Sequence, residues 1–183
     1  MILLTTSRRP TGRMRAFCRD LANSIPDVVR VNRGKMSMDG VAEKAIEHDA
    51  ERVIIVDRWH GGPGKINLFR ISSTGLKSVP PLMLLSGIRL RREFGEGTRR
   101  ARSSVITVEP KISPELEQLA GCLSQFFGLP AISLDEASEC HRASMHFSFD
   151  SSRRTQITFM LLERMVEIGP RATLSKLVWE VPS

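Results

Sequence analysis

Residues 2–31 read ILLTTSRRPTGRMRAFCRDLANSIPDVVRV, and this stretch decides how the rest of the chain is interpreted. It starts with a short apolar run, passes through a basic turn with proline into a helical pattern, and ends with proline and a second apolar run. Apolar residues three and four apart predict a helix from about Met14 to Ile25, which Thr11 is placed to cap. A strand, a helix and a strand in this order indicate an α/β unit.

The same pattern returns 104 positions later without a gap. The offset aligns four pairs of identical residues: Ile2 with Ile106, Pro10 with Pro114, Cys18 with Cys122, and Pro26 with Pro130. A repeat of this length predicts two similar α/β halves rather than a solenoid, whose units are shorter. We therefore expect the helices at 14–25 and 115–127 to superpose, each with its cysteine buried.

The rest of the first half predicts one more helix and a hairpin. The helix begins at Ser37 or Asp39 and ends near Asp49, with Val41, Ala42, Ala45 and Ile46 on one face. Strands are predicted at 53–56 and 66–71, and the glycines of Gly61–Lys65 predict the turn between them. A half-exposed strand is predicted over 87–94, with Arg89 and Arg91 on the same face, and a linker over 95–104.

The second half predicts a helix with both ends marked. Ser113 is a cap, Pro114 suits the first helical position, and Gly128 suits the C-terminal cap after Phe127. Further strands are predicted at 105–108, 131–134, 146–149, 157–165 and 174–181. The fold class is α/β, with two pseudo-repeated halves in which helices pack on mixed sheets.

The two halves carry opposite charge. Residues 1–102 hold 20 Lys and Arg against 10 Asp and Glu, whereas residues 103–183 hold 7 against 10. Arginine exceeds lysine, and its planar guanidinium suits phosphate recognition. A polyanion bound mainly by the first half is therefore expected.

Composition excludes several classes of protein. No apolar run approaches the ~20 residues of a membrane span, and the first residues lack the pattern of a signal peptide. Three cysteines form no disulfide framework. The expected location is the cytoplasm or, in a nucleated cell, the nucleus, with no membrane partner.

Basic residues form a candidate phosphate-binding site. A loop between a strand and a helix N-terminus suits phosphate, because free N–H groups and the positive end of the helix dipole lie there. The first-half candidates are Arg8, Arg9, Arg13, Arg15, Arg33, Lys35, Arg58, Lys65, Arg89, Arg91 and Arg92, with Arg99, Arg100 and Arg102 extending the last cluster. For each group, a solvated charged surface is the alternative interpretation.

No residue set predicts catalysis, a cofactor or a metal. Gly61–Lys65 superficially resembles a phosphate-binding loop, but Lys65 is followed by Ile66 and a strand instead of a helix. Cys140 and His141 with His146 lack a second ligand pair at metal-site spacing. His60 beside Asp57 is a pair that chance alone would produce, so the chain is expected not to be an enzyme.

Three segments resemble motifs of Brix-domain proteins over nearly the whole chain. Leu3–Pro10 is similar to their opening of a hydrophobic run, Thr-Thr-Ser, a basic residue and proline. Glu167–Arg171 is similar to their closing Glu-x-Gly-Pro-Arg segment, and His60–Gly64 stands where eukaryotic members carry a hairpin with Gly-Pro, from which it departs. The chain resembles the short archaeal form, a single domain over 1–183 with halves 1–102 and 103–183.

The resemblance implies a ribosome assembly factor that binds precursors of rRNA. It also implies halves similar to the anticodon-binding domain of certain aminoacyl-tRNA synthetases, and no catalytic residue. Arg171 is either an RNA contact or the partner of Glu167 in a tight turn. Two alternative functions remain: a module that docks a ribosomal or assembly protein, favoured if a helix exposes Phe126 and Phe127, and a small nucleotide-dependent enzyme.

Overall fold

The computed structural model describes residues 1–59, 62–95, 101–110 and 113–180, which divide into two compact units. Unit 1 comprises Met1–Ala22, Asp27–Leu85 and the end of the chain from Lys176. Unit 2 comprises Asn23–Pro26 and Ser86–Ser175. Each unit therefore includes a segment from the part of the chain that mainly builds the other unit.

Unit 1 is built on a mixed sheet with strand order β2-β1-β3-β4-β5. Its elements are β1 (Ile2–Thr6), α1 (Gly12–Ser24), β2 (Val28–Arg30), α2 (Met38–Glu47), β3 (Arg52–Trp59), β4 (Gly62–Ser72) and β5 (Gly75–Arg89), of which α1 and β5 end in unit 2. Strand β1 pairs in parallel with β2 and β3, and β4 is antiparallel to β3 and β5.

Unit 2 is built on a mixed sheet with strand order β7-β6-β8-β9-β11, and β10 pairs with β9. Its elements are β6 (Val105–Val108), α3 (Pro114–Phe127), β7 (Ala131–Ser133), α4 (Leu134–Cys140), β8 (Ala143–Phe149), β9 (Thr155–Leu161), β10 (Val166–Glu167) and β11 (Arg171–Val178), with short helical turns at Arg91–Glu93 and Leu162–Arg164. Strand β6 pairs in parallel with β7 and β8.

The core of unit 1 lies between helix α2 and strands β1 and β3. In unit 1, Leu3 on β1 and Val53 on β3 pack with Val41 and Ala45 of α2, and each is fully buried. Ile46 is 61% exposed, so its predicted place on the buried face of α2 is wrong. Ile46 lies off the buried face of α2 because Val41 and Ala45, one helical turn apart, are the residues that contact the sheet.

In each sequence half, an N–H near the start of the first strand donates to the carbonyl of the residue that precedes the second strand. The N–H of Ile2 donates to the carbonyl of Asp27 at 2.8 Å, and the N–H of Ile106 donates to the carbonyl of Pro130 at 2.8 Å. Ile2 and Ile106 are 104 positions apart, whereas Asp27 and Pro130 are 103 apart. The offset therefore changes within the first strand–helix–strand segment, and a repeat without gaps is wrong.

The helices also depart from the offset of 104. Phe17 and Cys18 of α1 are buried, as are Leu119 and Ala120 of α3, which lie 102 positions later. Cys122 is only partly buried, so the prediction that both cysteines are buried is wrong. The cysteines do not occupy equivalent positions on the two helices, and their alignment in the sequence is coincidental.

Several predicted boundaries in the first half need correction. Gly62–Lys65 belongs to strand β4 instead of a turn, whereas His60 and Gly61 lie outside the described residues. Strand β5 is continuous through Pro80 and Pro81 and ends at Arg89. Arg91 therefore lies in the helical turn after the strand, and the predicted shared strand face with Arg89 is wrong.

The predicted linker is only partly open to solvent. Ala101 is 6% exposed and Ser103 is 1% exposed, and the N–H of Ser103 donates to the carbonyl of Ser24 at 2.8 Å. Residues 96–100 lie outside the described residues. The segment 101–103 is therefore part of the packed structure of unit 2.

The second half contains one helix that the sequence pattern missed. Helix α4 follows β7 directly, because the Ser133 side chain caps it by accepting from the N–H of Glu136 at 3.3 Å. The predicted strand 157–165 ends at Leu161, where the helical turn Leu162–Arg164 begins. The caps of α3 are as predicted: Ser113 accepts from Leu116, and Gly128 adopts the left-handed conformation with φ 69°.

No helix in the described ranges has both the length and the apolar character required to cross a bilayer.

Candidate nucleic-acid interface

The carboxyl ends of three parallel strands bring the first basic loops together in unit 1. The N–H of Ser7, just after β1, donates to the carbonyl of Val56 on β3 at 2.9 Å. On the other side, the N–H of Val31 donates to the carbonyl of Leu4 at 3.0 Å, and the Thr5 hydroxyl donates to the carbonyl of Val31 at 3.0 Å. The loops after β1, β2 and β3 therefore leave the same edge of the sheet.

The N-terminus of α1 lies at this edge and is basic. The Thr11 hydroxyl accepts from the N–H of Met14 at 3.2 Å, as predicted for the cap. Arg13 and Arg15 are exposed, the first turn has no acidic residue, and Nη1 of Arg15 donates to the carbonyl of Pro10 at 3.0 Å. The dipole and the arginine charges therefore have the same sign.

Two guanidinium groups converge on one backbone carbonyl. Nε of Arg33 donates to the carbonyl of Met36 at 2.9 Å, and Nε of Arg8 donates to the same oxygen at 3.3 Å. Arg33 is 6% exposed, and Nη2 of Arg33 also approaches Sδ of Met38 at 3.5 Å. Burial, and then the charge of Arg8, lower the pKa of Arg33, while Asp57 opposes the shift. The shared carbonyl therefore holds the Arg8 and Arg33 guanidinium groups together.

The remaining candidates of unit 1 lie on the same three loops or on the adjoining hairpin. Arg9, Lys35 and Arg58 are exposed, and Lys65 is half-buried and faces Asp57 across the β3–β4 pair. We call the following set the basic edge: Arg8, Arg9, Arg13, Arg15, Arg33, Lys35, Arg58 and Lys65. Asp57 lies beside the basic edge, and its carboxylate accepts from the backbone N–H of Arg58 at 2.7 Å.

The described members of the second predicted cluster do not form one surface, and Arg99 and Arg100 lie outside the described residues. Arg89 and Arg92 are exposed, but Arg91 is 7% exposed. Nη2 of Arg91 donates to the hydroxyl of Ser24 at 2.6 Å, and its Nε donates to the carbonyl of Gly169 at 3.4 Å. Arg91 therefore has a packing role in unit 2, and we do not include it in the candidate surface.

Arg171 takes the second of its two predicted roles. Its Nε donates to the Glu167 carboxylate at 2.6 Å, and its Nη2 donates to the other carboxylate oxygen. The Thr158 hydroxyl donates to the same carboxylate, and Glu167 raises the pKa of Arg171. The closing Glu-Ile-Gly-Pro-Arg segment is thus a tight turn fastened by its first and last residues.

Phe94, which follows the helical turn after β5, packs against this closing turn. The ring is 6% exposed, and the guanidinium carbons of Arg89 and Arg171 lie 4.3 and 5.5 Å from its centroid. A Cβ at Gly169, where φ is +64°, would lie 2.4 Å from Cε2 of Phe94. Glycine is therefore required at this position both by the backbone conformation and by the ring.

The corresponding edge of unit 2 is acidic. Glu109 follows β6, and Glu115 and Glu117 lie in the first turn of α3. Lys111 and Ile112, in the loop between them, lie outside the described residues. The same strand-end position therefore carries opposite charge in the two units.

The two histidines considered as metal ligands bind different hydroxyl groups, and one of the two phenylalanines considered for a protein contact is buried. The Nδ1 atoms of His141 and His146 lie 2.7 Å from the Ser104 hydroxyl and 2.9 Å from the Thr107 hydroxyl, respectively. Within the described ranges, no three side chains of metal-binding types converge. Phe126 is 1% exposed, so α3 does not expose the two phenylalanines whose exposure would have favoured a protein-docking module.

Sequence reasoning missed the groups that organise these arginines. The carbonyl of Met36 is a backbone group, and no side-chain pattern marks it. Phe94 could have been noticed as an apolar residue among arginines, yet its contact with Gly169 joins residues far apart in the sequence. Contacts of this kind depend on the fold and not on local spacing.

Comparison with known proteins finds archaeal relatives with one name. A probable Brix domain-containing ribosomal biogenesis protein of Aeropyrum pernix is 33% identical over 105 residues, covering 57% of this chain and 58% of the relative. A protein of the same name from Methanopyrus kandleri is 28% identical over 176 residues, covering 91% of this chain and 89% of the relative. The first match thus spans less than two thirds of that relative's length. No family model matches the chain.

Solved structures agree with this relationship. A crystal structure of a probable ribosomal biogenesis protein from Aeropyrum pernix K1 has a TM-score of 0.76 at 26% identity and covers 97% of this chain and 98% of its own. Mil, an archaeal Imp4-like protein, has a TM-score of 0.65 at 21% identity over 97% of this chain and 99% of its own, which shows a shared fold.

Proposed function

We propose that this chain is a Brix-domain protein, like the archaeal relatives of that name that it resembles over most of its length, and that it is an RNA-binding assembly factor in ribosome biogenesis. In this role it binds precursors of rRNA and assists their assembly without a catalytic step. Its action would take place in the cytoplasm of an archaeal cell. Ribosomal or assembly proteins are the second class of partner.

The basic edge of unit 1 is the observation that carries the proposal. Three strand-end loops and a helix N-terminus without acidic residues concentrate cationic groups on one side of the unit. Phosphates of an RNA backbone match such a surface because each neutralised phosphate releases counterions, which favours binding. Arginine adds paired hydrogen bonds to phosphate oxygens.

Within the basic edge, residues divide into two roles. Arg9, Arg13 and Lys35 are exposed and contact phosphates directly in the proposed complex. Arg33 is buried and holds Arg8 through the shared carbonyl of Met36. Arg8 is therefore oriented before RNA arrives, which lowers the entropy lost on binding. Arg58 and Lys65 extend the surface along the β3–β4 hairpin.

The proposal assigns a smaller role to the candidates in unit 2. Arg89 and Arg92 are exposed and provide additional phosphate contacts. Arg171 is held by Glu167, so its charge is already neutralised, and its contribution to RNA affinity is small. Base stacking contributes little, because the chain has no tyrosine and 5% aromatic residues.

We also propose that the scaffold is duplicated and that each half is similar to an anticodon-binding domain. The common order of elements supports duplication: each half places its second strand at the outer edge, next to the first, and its third strand on the other side. The division into residues 1–102 and 103–183 remains the proposed boundary of the duplication.

The test is RNA binding by a charge-reversed variant. The double variant Arg8→Glu, Arg9→Glu should weaken binding to fragments of rRNA precursors at least about tenfold, because two phosphate contacts become repulsive. Filter binding or fluorescence anisotropy across a salt series measures the affinity, and circular dichroism verifies the fold.

A matched control reverses two exposed arginines of unit 2, Arg142→Glu and Arg164→Glu. Its net charge equals that of the test variant, so an equal loss of affinity in both would contradict a specific site. Unchanged affinity of the test variant, with the fold intact, would remove Arg8 and Arg9 from the interface.

A further inference from the structure

We propose that unit 2 carries a docking groove for an extended basic peptide of a partner protein, formed by α3, the end of β6 and strand β7. The groove has a volume of about 440 Å³. This inference goes beyond RNA binding by unit 1 and does not depend on it.

The groove has an apolar floor with two carboxylates beside it. Val108 of β6, Ala120 of α3 and Ala131 of β7 line the floor, while Glu109 and Glu117 supply the charges. Gly121 opens the helix side, since a Cβ placed there would meet no atom within 4 Å. An apolar slot beside fixed acidic groups suits a peptide that alternates apolar and basic side chains.

Strand β7 provides the backbone contacts for such a peptide. It pairs in parallel with β6, and among the strands that the structure describes none pairs with its outer edge. Ala131 and Ser133 are exposed and Ile132 is half-buried. An edge strand beside a groove can accept an added strand, whose main-chain hydrogen bonds give affinity and whose alternate side chains enter the groove.

One of the two carboxylates that line the groove is held by a backbone hydrogen bond. Oε2 of Glu109 accepts from the backbone N–H of Phe149 at 3.1 Å, which fixes the group at the end of β6. Glu117 lies in the first turn of α3, and Asp135 and Glu136 lie in the first turn of α4, which follows β7. Two carboxylates thus line the groove in a chain whose net charge is +7.

The corresponding edge of unit 1, formed by β2 and α1, is basic, and this contrast supports a basic occupant for the groove of unit 2. There, strand β2 carries Arg30, and the N-terminal part of α1 carries Arg13 and Arg15. A basic peptide is repelled from that edge and attracted to the groove of unit 2, whereas an RNA backbone has the opposite preference. The charge difference therefore directs two kinds of partner to two different surfaces.

The experiment measures binding of a short peptide of alternating lysine and valine, labelled with fluorescein, to the full chain. Fluorescence anisotropy should show saturable binding. The same peptide with glutamate in place of lysine should not bind. A version with N-methylated alternate amides should bind at least about tenfold more weakly, because it cannot complete the main-chain hydrogen bonds.

Two variants and one control locate the site. Gly121→Gln fills the groove without strain, and Glu117→Lys reverses one charge, so each should raise the Kd of the peptide at least about tenfold. Glu139→Lys, an exposed residue of α4 outside the groove, makes the same charge change and should alter the Kd less than about twofold. RNA affinity should be unchanged in Gly121→Gln, which separates this site from the basic edge.

Three outcomes would overturn the proposal. The first is equal peptide binding by the natural chain and Gly121→Gln. The second is displacement of the peptide by an rRNA fragment in the Arg8→Glu, Arg9→Glu variant, which would make the groove an RNA site. The third is self-association in light scattering that Gly121→Gln abolishes, which would make a second copy of the chain the occupant.

Discussion

At the scale of single residues, the closing turn depends on Gly169. Its φ of +64° is a left-handed conformation, and its α-carbon faces the ring of Phe94. Gly169→Ala should lower the free energy of unfolding by about 2–4 kcal/mol, since it combines backbone strain with overpacking. Chemical denaturation measures the loss.

Gly87→Ala is the matched control, because a Cβ at Gly87 would meet nothing within 4 Å. It should change the unfolding free energy by less than about 1 kcal/mol. If Gly169→Ala were equally harmless, the contact with Phe94 would not constrain the turn.

His146 should make stability depend on pH. Burial lowers the pKa of His146, although Glu109 and Glu167 oppose the shift. The unfolded chain therefore takes up a proton first as the pH falls below the ordinary value of about 6.5, and the folded state loses stability from there downward. The urea midpoint should thus fall between neutral pH and about pH 5.

His146→Gln isolates this contribution, because glutamine cannot be protonated. The difference in urea midpoint between the natural chain and the variant should shift with pH in that interval. A difference independent of pH would show that His146 does not titrate differently in the two states.

At the scale of elements, the cap of α1 links stability to the basic edge. Thr11→Ala removes the acceptor for the N–H of Met14 and should destabilise the chain by about 1 kcal/mol. Thr11→Ser keeps the hydroxyl and should retain most of the stability, as thermal unfolding will measure. Equal melting temperatures for the two variants would mean that the cap hydrogen bond contributes nothing.

Helix ends were predictable from the sequence where capping residues next to each other in the chain define them. Ser113, Pro114 and Gly128 define both ends of α3 in sequence, and the structure has the same ends. Helix α4 was missed because seven residues give too short a periodic pattern, although its Ser133 cap was visible. The convergence of Arg8 and Arg33 was predictable as a cluster of charge, but the burial of Arg33 depends on packing that spacing does not encode.

At the scale of the whole molecule, the two units are not separable at residue 102. Unit 2 includes Asn23–Pro26 and the segment from Ser86 onward, and Arg91 and Phe94 make its internal contacts. A fragment of residues 103–183 lacks these groups and should show no cooperative unfolding transition. The full chain is the control, and a cooperative transition in the fragment would contradict this assignment of contacts.

The thiol of Cys18 is shielded from reagents in solution while the protein is folded. Cys18 is fully buried on α1, and burial raises its pKa to about 12, whereas Cys140 is exposed. Because the thiolate is the reactive form, an alkylating reagent distinguishes the two cysteines while the protein is folded. Modification of Cys18 then requires a local opening of the structure around α1, so the natural sequence already contains a reporter of such opening beside the basic edge.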